Sequence, residues 1–386
     1  MSANDVAQAR HQTGDEAAFD RPLMIAVAAL LSVGVVMVYS ASIAADSATL
    51  RINLDHLLRQ LAHVGVGLAA LAAGALVRLA WLQYAARALL LIALALLVAV
   101  LIPGVGIEVN GSARWIGVAE MRLQPSELMK VVAVIYFADY FARKHDQLHR
   151  FRVGIVNVGV VVGAIGALLL LEPDFGATAV IWFTVAAMMF LAGVSLLHFA
   201  LGAAAAGALL TAAMWMEPYR IQRLIAYLDP WADPFGSGFQ LAQALIAIGR
   251  GEWLGVGIGG SIQKLFYLPH AGNDFLIAVI GEELGAAGIF AVLMLFVLLL
   301  WRAFAIGARA LRRGQRFAGL LAQGLGVLLA LQAVVHAGVN TGVLPTKGLT
   351  LPLVSYGGSS LIASMAAVGL LFAVDRAARP APRSRK

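Results

Sequence analysis

The fold of this chain is decided by one long apolar run, FLIAVIGEELGAAGIFAVLMLFVLLLW, at residues 275–301. An α-helix rises about 1.5 Å per residue, so this run is long enough to cross the roughly 30 Å hydrocarbon core of a bilayer. Comparable runs of about 18–25 apolar residues recur along the chain, as expected for helices that span a membrane. Strands of a membrane barrel would alternate in polarity over about ten residues, and these runs do not.

The composition predicts the same class of protein. Of the 386 residues, 61% are hydrophobic and only 13% are charged, and the mean hydropathy is +0.85. The chain has no cysteine, which excludes disulfides and thiolate metal sites. We therefore predict an all-α polytopic membrane protein.

Ten membrane spans are predicted, near residues 22–43, 57–77, 84–103, 126–142, 153–171, 175–194, 198–216, 275–301, 318–343 and 356–374. The first run ends in small residues like those of a signal-peptidase site. It is too long for the apolar region of a typical signal peptide, so we expect it to remain as the first span. The predicted domains are a disordered cytoplasmic tail at 1–20, a ten-helix membrane domain at 21–376 and a basic cytoplasmic tail at 377–386.

The positive charges predict the orientation of the spans. Alternating loops place 18 of the 28 lysines and arginines on one side, and cytoplasmic loops carry such an excess. Both termini are therefore expected in the cytoplasm, and the net charge of +7 reflects orientation and contact with anionic lipid rather than nucleic acid. The exported segments are then 44–56, 104–125, the long loop 217–274 between spans 7 and 8, and 344–355. Residues 239–250 of the long loop are predicted to form a short amphipathic helix.

Two exported segments carry polar residues at helix ends. Glu127 and Lys130 are three residues apart at the start of a span, so they share a helix face and can pair. They are either a structural ion pair or contacts to a substrate, together with Arg114 in the same segment. In the second segment, Pro173 interrupts the helix beside Asp174, which leaves a plain hairpin with solvated acids or a functional carboxylate as alternatives.

The third segment, residues 252–285, contains a glycine ladder, then Lys264 and, ten residues on, Asp274 at the mouth of the apolar run. A glycine ladder alone is a weak indication of phosphate binding, and helix packing explains each glycine equally well. Asp274 is either the cap of the following helix or a catalytic base. Glu282 and Glu283 lie inside a span and must be paired, which favours a structural role over catalysis.

The fourth segment runs from Asn340 to Ser360 and includes Lys347, Ser355 and the sequence Gly-Gly-Ser-Ser at 357–360. A glycine- and serine-rich helix start offers backbone N–H groups and hydroxyls to an anion. His336 stands alone in an apolar run and is interpreted as a core residue. The four segments together predict a cavity at the membrane interface with one candidate base and several cations, which suits a lipid-linked phosphate substrate.

Several motifs in order resemble those of the SEDS polymerases (shape, elongation, division and sporulation), over about residues 20–376. They are Asn110-Gly111 with Arg114-Trp115-Ile116, Gln124-Pro125-Ser126-Glu127, Pro173-Asp174-Phe175-Gly176, Leu228-Asp229-Pro230-Trp231-Ala232-Asp233-Pro234, Gln263-Lys264, Asn273-Asp274-Phe275, Gly281-Glu282-Glu283-Leu284-Gly285 and Ser355-Tyr356-Gly357-Gly358-Ser359-Ser360. The run from Pro345 to Pro352, with its Thr346-Lys347, resembles the cell-division branch of the family rather than the branch for rod elongation.

The resemblance implies a ten-span peptidoglycan glycosyltransferase that joins lipid II disaccharides by an inverting β-1,4 transfer. It implies a class B penicillin-binding protein and other division proteins as partners, at the septum in the bacterial inner membrane. Asp274 matches the essential aspartate and is implied as the general base. Lys347, Arg114 and Lys264 are implied as pyrophosphate contacts, and Ser355, Glu127, Lys130 and Asp174 as further substrate-binding residues.

This chain departs from the family pattern at two places. His270 and Gly272 stand where the family usually has glutamate and histidine, and one arginine, Arg114, remains where two are often found. No cofactor is indicated; a divalent cation near the pyrophosphate is chemically reasonable, but no closed ligand set is visible. Two alternatives remain: a lipid II flippase, and a non-catalytic scaffold for the penicillin-binding protein.

Overall fold

The computed structural model describes residues 19–43, 50–109, 112–118, 121–215, 227–265, 267–269, 271–346 and 348–379. Most of the predicted tails, residues 1–18 and 380–386, lie outside this part of the chain. The described residues form eleven α-helices and three short strands. The helices are α1 Arg21–Ile43, α2 Leu50–Leu76, α3 Leu79–Val100, α4 Pro125–Lys144, α5 Asn157–Leu171, α6 Phe175–Leu191, α7 Leu196–Trp215, α8 Phe239–Gly251, α9 Leu276–Arg312, α10 Arg316–Asn340 and α11 Gly358–Ala377.

The prediction of a polytopic helical membrane protein is confirmed. Within the described residues, seven helical segments are long and apolar enough to cross a bilayer; they comprise α1, most of α2, α3, α5 with the turn before it, α9, α10 and α11. The helices α4, α6 and α7 occupy the positions of the three remaining predicted spans. The amphipathic helix predicted at 239–250 is also present, as α8.

Contacts between loops and between helix ends distinguish the two ends of the bundle. We call one end the loop side; it carries the described residues within 101–124, 227–275 and 341–357. The other end, the arginine side, carries Arg302 and Arg309. There Arg302 donates to Asp20 (Nε to Oδ1, 3.0 Å), which lies just before α1, and Arg309 pairs with Asp375 of α11 (2.6 Å).

The centre of the bundle is built by α10 and α11, in whose most apolar stretches 72% and 83% of the residues are buried. Helix α11 crosses α2 so closely that a Cβ atom at Gly369 would lie 2.2 Å from the carbonyl oxygen of Leu71. Small residues permit this approach, which is how helices without a hydrophobic driving force between them gain packing contacts in a bilayer. The buried pair α10 and α11 therefore serves as the fixed frame for the loops on the loop side.

A small antiparallel sheet departs from the all-helical prediction. Strands β1 (Gly106–Val109), β2 (Ser112–Val118) and β3 (Met121–Leu123) lie in the order β1-β2-β3, with Ile107 opposite Trp115. The strands β1 and β2 flank Asn110-Gly111, a residue pair typical of tight hairpin turns. The sheet rests on the loop side and directs Arg114 of β2 towards the break between α5 and α6.

Candidate active site

A cavity of about 420 Å³, including its open mouth, lies on the loop side between the sheet and the helix starts. Three of the four predicted segments line it, and the third segment, residues 252–285, contributes no lining residue. Its lining residues come from the sheet, the start of α4, the start of α6, the chain before α11 and the first turn of α11: Arg114, Trp115, Gln124, Glu127, Asp174, Gly348, Leu349, Thr350, Gly357, Ser359 and Ser360.

Arg114 holds the break between α5 and α6. Its Nε donates to the carbonyl oxygen of Glu172 (3.0 Å) and its Nη2 donates to that of Pro173 (2.7 Å). A guanidinium has five N–H donors, so these two bonds leave three for other acceptors. Arg114 thus combines a fixed position with spare positive donors at the cavity wall.

Asp174 caps α6 and joins it to α4. Its Oδ1 accepts from the backbone N–H of Ala177 (3.0 Å), which satisfies one of the unpaired N–H groups at the helix start. Its Oδ2 accepts from the hydroxyl of Ser126 (3.0 Å). The carboxylate lines the cavity but is already engaged by protein groups, so the solvated-hairpin alternative does not describe it.

Glu127 and Lys130 form the predicted ion pair in the first turns of α4. The Lys130 ammonium lies 2.7 Å from Oε2 of Glu127, and both side chains are buried. Glu127 reaches the cavity wall, whereas Lys130 lies behind it. The pairing is confirmed, and contact of either residue with a substrate stays a prediction.

The first turn of α11 supplies hydroxyls and backbone N–H groups to the cavity. Ser359 accepts from the backbone N–H of Gln124 (3.0 Å) and donates to the carbonyl oxygen of Arg122 (2.9 Å), which joins the helix start to the sheet. Ser360 accepts from Thr350 (2.7 Å). The positive end of a 20-residue helix therefore faces the same cavity as Arg114.

Asp274 lies at the edge of this cavity, next to the wall formed by Gly348. A Cβ atom at Gly348 would lie 3.0 Å from Oδ2 of Asp274, so only glycine permits this approach without a shift. Asp274 is not the cap of α9: the N-cap position belongs to Phe275, and Asn340 satisfies the backbone N–H of Ala278 (3.0 Å). Phe275 rather than Asp274 therefore occupies the N-cap position of α9, and the catalytic role of Asp274 stays a prediction.

The backbone around Asp274 is fixed from two sides. Asn340, the last residue of α10, donates to the carbonyl oxygen of Asp274 (2.9 Å). The hydroxyl of Ser355 donates to the carbonyl oxygen of Asn273 (2.8 Å) and accepts from the N–H of Leu351 (3.0 Å). Ser355 is buried and its hydroxyl is used by the protein, so the structure gives it a part in holding the loop; substrate contact by Ser355 stays a prediction.

Lys264 lies away from the lining of the cavity, in a second polar cluster. Its ammonium contacts Oε1 of Glu283 (2.7 Å), the hydroxyl of Ser40 (2.8 Å) and the carbonyl oxygen of Gly259 (3.0 Å). Glu282 pairs with Arg250 and accepts from Ser261. Both glutamates are fully buried and paired, as expected for carboxylates inside a span. A pyrophosphate contact by Lys264 stays a prediction, and this geometry gives it no support.

Glu172 is the unexpected group at the site. Its side chain is 1% exposed, and within the described part of the chain both carboxyl oxygens are buried without a hydrogen-bond partner. Burial, with a smaller contribution from the neighbouring Asp174, raises the pKa of Glu172 from its usual value of 4.5 to about 8, although Arg114 acts in the opposite direction. Glu172 is therefore mostly protonated at pH 7.

Some predicted residues lie outside the described part of the chain, among them Lys347 and His270, and their roles stay predictions. Three residues of the site carried no predicted role: Asn340, Gln124 and Thr350. The only available indication for Asn340 was an amide at the end of an apolar helix. Its partner Asp274 is 66 residues away, so the contact required the structure.

The cavity does not offer a ready-made site for a divalent cation. Its two carboxylates, Glu127 and Asp174, are engaged by Lys130 and by Ser126 and Ala177. In the described residues, no group of three or more His, Asp or Glu side chains is placed to hold a metal ion. Participation of a divalent cation stays a prediction.

The sequence comparisons match the chain to one family over nearly its whole length. The model of the cell cycle protein family FtsW, RodA and SpoVE matches residues 21–380. A protein of Nitrosococcus halophilus named "Probable peptidoglycan glycosyltransferase FtsW" is 51% identical over 356 residues, which cover 92% of each chain. A protein of the same name from Methylococcus capsulatus is 50% identical over 358 residues, 92% of this chain and 89% of the relative.

Solved structures share the fold. One is a chain of a structure described as "Structural coordination of polymerization and crosslinking by a peptidoglycan synthase complex". Its TM-score to this chain is 0.75 at 32% identity, and the match covers 93% of this chain and 98% of that chain. The crystal structure of the rod shape determining protein RodA of Thermus thermophilus has a TM-score of 0.65 at 29% identity, covering 93% and 97%.

Proposed function

This chain belongs to the cell cycle protein family of FtsW, RodA and SpoVE, and from that premise we propose how it works as a peptidoglycan glycosyltransferase. It polymerises lipid II into glycan strands for the septal cell wall, with Asp274 as the general base. The relatives of Nitrosococcus halophilus and Methylococcus capsulatus are both named FtsW, which supports the division role over rod elongation.

The observation that carries the proposal is the position of Asp274. Its carboxylate lies 3.0 Å from where a Cβ atom of Gly348 would be, at the edge of a cavity that also holds Arg114 and the start of α11. A general base must reach the proton that it removes, and here the base is held on a backbone fixed by Asn340. The carboxylate of Asp274 therefore lies at a cavity that contains two sources of positive charge, Arg114 and the start of α11.

The reaction follows from these positions. The acceptor sugar hydroxyl of lipid II attacks the anomeric carbon of the growing strand, and the bond from that carbon to the lipid pyrophosphate breaks. Asp274 takes the hydroxyl proton as the new glycosidic bond forms. A single displacement of this kind inverts the anomeric centre, in agreement with a β-1,4 product.

The leaving pyrophosphate carries away the bonding electron pair and develops negative charge. The spare N–H donors of Arg114 and the backbone N–H groups at the start of α11 are suited to that charge, because both are oriented before the reaction. Lys347 is proposed as a further contact from the sequence alone. Glu127 and Lys130 fix the start of α4 beside the same cavity.

The partner and the location follow from the family and the charges. The chain is a multi-pass membrane protein. The solved chain with the higher TM-score belongs to a peptidoglycan synthase complex, which supports a class B penicillin-binding protein as partner. We place the protein in the bacterial inner membrane at the division septum, with other division proteins, both termini in the cytoplasm and the loop side exported.

Polymerisation is tested with purified protein, one class B penicillin-binding protein and labelled lipid II, and the products are separated by length on a gel. Strands many disaccharides long are expected with the complex and not with the penicillin-binding protein alone. If no strands form, and labelled lipid II instead crosses vesicles that contain only this chain, the protein is a flippase. If neither occurs while the complex assembles, it is a scaffold.

A further inference from the structure

The segment 253–262 has an unusual surface. Its sequence, Trp-Leu-Gly-Val-Gly-Ile-Gly-Gly-Ser-Ile, contains no charged residue. Yet Trp253 is 72% exposed, Leu254 84% and Ile258 65%. Exposed apolar side chains that cluster in this way call for an apolar neighbour. The position of the segment beside α9 indicates which neighbour that is.

The segment supplies hydrogen-bond partners to the backbone at a break in α9. Gly285 adopts φ +70° and ψ −172°, which interrupts the helical hydrogen bonds around it. The N–H groups of Val256 and Gly257 donate to the carbonyl oxygens of Glu282 (2.9 Å) and Glu283 (3.0 Å).

Two further hydrogen bonds run in the opposite direction, from α9 to the segment. The N–H groups of Ala286 and Ala287 donate to the carbonyl oxygens of Glu252 (2.9 Å) and Trp253 (3.1 Å). Non-helical backbone at membrane depth survives only where its polar groups find such internal partners. The tight fit also requires glycine: a Cβ atom at Gly255 would lie 2.1 Å from the carbonyl oxygen of Glu283.

The contact with Ala287 fixes the depth of the segment. Arg302 marks the arginine-side edge of the apolar part of α9, since it pairs with Asp20 just before α1. Ala287 is fifteen residues from Arg302, or about 22 Å along a helix. A hydrocarbon core of roughly 30 Å then extends about 8 Å beyond Ala287 towards the loop side. The carbonyl oxygen of Trp253 accepts from the N–H of Ala287, so Trp253 lies below the surface of that core.

The two carboxylates of α9 next to the segment, Glu282 and Glu283, face the protein, whereas Glu252 at the start of the segment is exposed. Lys264 pairs with Glu283 and contacts Ser40 of α1, and Arg250 pairs with Glu282. The two carboxylates of α9 are fully buried while the apolar side chains on the other face are exposed. This division of one polar, satisfied face from one apolar, uncovered face is what a segment at the edge of a bilayer requires.

We propose that residues 253–262 form a shallow re-entrant segment whose Trp253, Leu254 and Ile258 contact lipid acyl chains in the leaflet on the loop side. Part of the predicted exported loop 217–274 then lies within the membrane rather than in water. The proposal rests on the fold and does not depend on the catalytic role of Asp274.

The absence of cysteine from the chain permits a direct test. Nitroxide labels are attached to Leu254→Cys and Ile258→Cys in purified protein reconstituted in phospholipid vesicles. Their collision rates with oxygen, which concentrates in hydrocarbon, and with a water-soluble nickel chelate are compared. Phe290→Cys, exposed on α9, is the hydrocarbon control, and Ala232→Cys, exposed between Asp229 and Asp233, is the water control.

The labels at Leu254 and Ile258 are expected to favour oxygen over nickel, as at Phe290, with a shallower depth. Nickel-favoured collisions like those at Ala232 would overturn the proposal, because the segment would lie in water. Low collision rates with both reagents would also overturn it, because protein would then cover the surface. If one labelled variant aggregates, Ile262→Cys on the same segment replaces it; Ile262 is 44% exposed.

Discussion

The side-chain amide of Asn340 donates a hydrogen bond of 2.9 Å to the backbone carbonyl oxygen of Asp274. The same amide donates to the carbonyl oxygen of His336 (2.8 Å), and its oxygen accepts from the N–H of Ala278 (3.0 Å). One side chain thus joins the end of α10 to the start of α9. The backbone that presents the catalytic carboxylate is therefore tied to the most buried part of the bundle.

Replacement of Asn340 is expected to lower turnover. In Asn340→Ala the carbonyl oxygen of Asp274 loses its donor, and a displacement of about 1 Å at a reacting group can cost up to about 100-fold in rate. We expect kcat for strand synthesis to fall roughly 10- to 100-fold with little change in KM for lipid II. Thr341→Ala, one residue further on, is the control. Equal kcat values for both variants would show that Asn340 does not position Asp274.

Arg114 is expected to affect binding of the pyrophosphate. Lysine keeps the charge but cannot donate in two directions from one plane, so Arg114→Lys loses the bonds to the carbonyl oxygens of Glu172 and Pro173. KM for lipid II should rise about tenfold, because the substrate loses one charge-assisted hydrogen bond that contributes about 1.4 kcal/mol. Arg122→Lys, at an exposed arginine of β3, should behave as wild type. Unchanged KM in Arg114→Lys would contradict this role.

The Lys264–Glu283 pair is expected to matter for stability. Lys264→Met leaves Glu283 buried and unpaired, which typically costs about 3–5 kcal/mol. The melting temperature in detergent should therefore fall sharply, and the double variant Lys264→Met/Glu283→Gln should recover part of the loss. Lys144→Met, at the end of α4, is the control. A stable Lys264→Met variant with an increased KM for lipid II would instead favour the pyrophosphate contact implied by the sequence.

Glu172 is expected to make stability depend on pH. Its pKa is about 8 in the folded protein against a usual value of 4.5, so the folded state holds the proton more tightly. The stabilising contribution is complete below pH 4.5 and is lost as the pH rises through about 8. Glu172→Gln, which cannot ionise, should therefore melt higher than wild type at pH 9.

At pH 6 the two proteins should differ much less, and this comparison separates ionisation from packing. Glu108→Gln, at an exposed acid of β1, is the control for loss of a carboxylate on the same side. If wild type and Glu172→Gln show the same fall in melting temperature from pH 6 to pH 9, the carboxyl group does not titrate in this range.

The helices could be located from the sequence, because apolar runs of membrane length are strong and local. The predicted span at 22–43 became a helix at Arg21–Ile43, and the span at 356–374 one at Gly358–Ala377. The three-stranded sheet was missed because its strands are only three to seven residues long. The break at Gly285 was missed because a glycine within a helical pattern also fits helix packing. Its partners, Glu252 to Gly257, lie earlier in the same segment but outside the helix, so the helical pattern could not reveal the contact.

The site was predictable in its residue types but not in its contacts. Asp274, Arg114 and Asp174 were all identified from motifs, and the structure brings Arg114 and Asp174 to one cavity with Asp274 at its edge. Lys264 has the same charge as Arg114, and only the structure separates it from the cavity by pairing it with Glu283. Charge and motif order identify candidates; their partners depend on how the helices pack.

The most direct measurement is strand synthesis by Asp274→Asn. Asparagine keeps the size of the side chain but cannot accept the hydroxyl proton, so polymerisation from labelled lipid II should fall at least about 100-fold, within the range of general-base catalysis. The melting temperature and binding to the penicillin-binding protein should remain, and Asp229→Asn, in the turn before α8, should retain full activity. Undiminished strands from Asp274→Asn would contradict the account of this cavity as the active site.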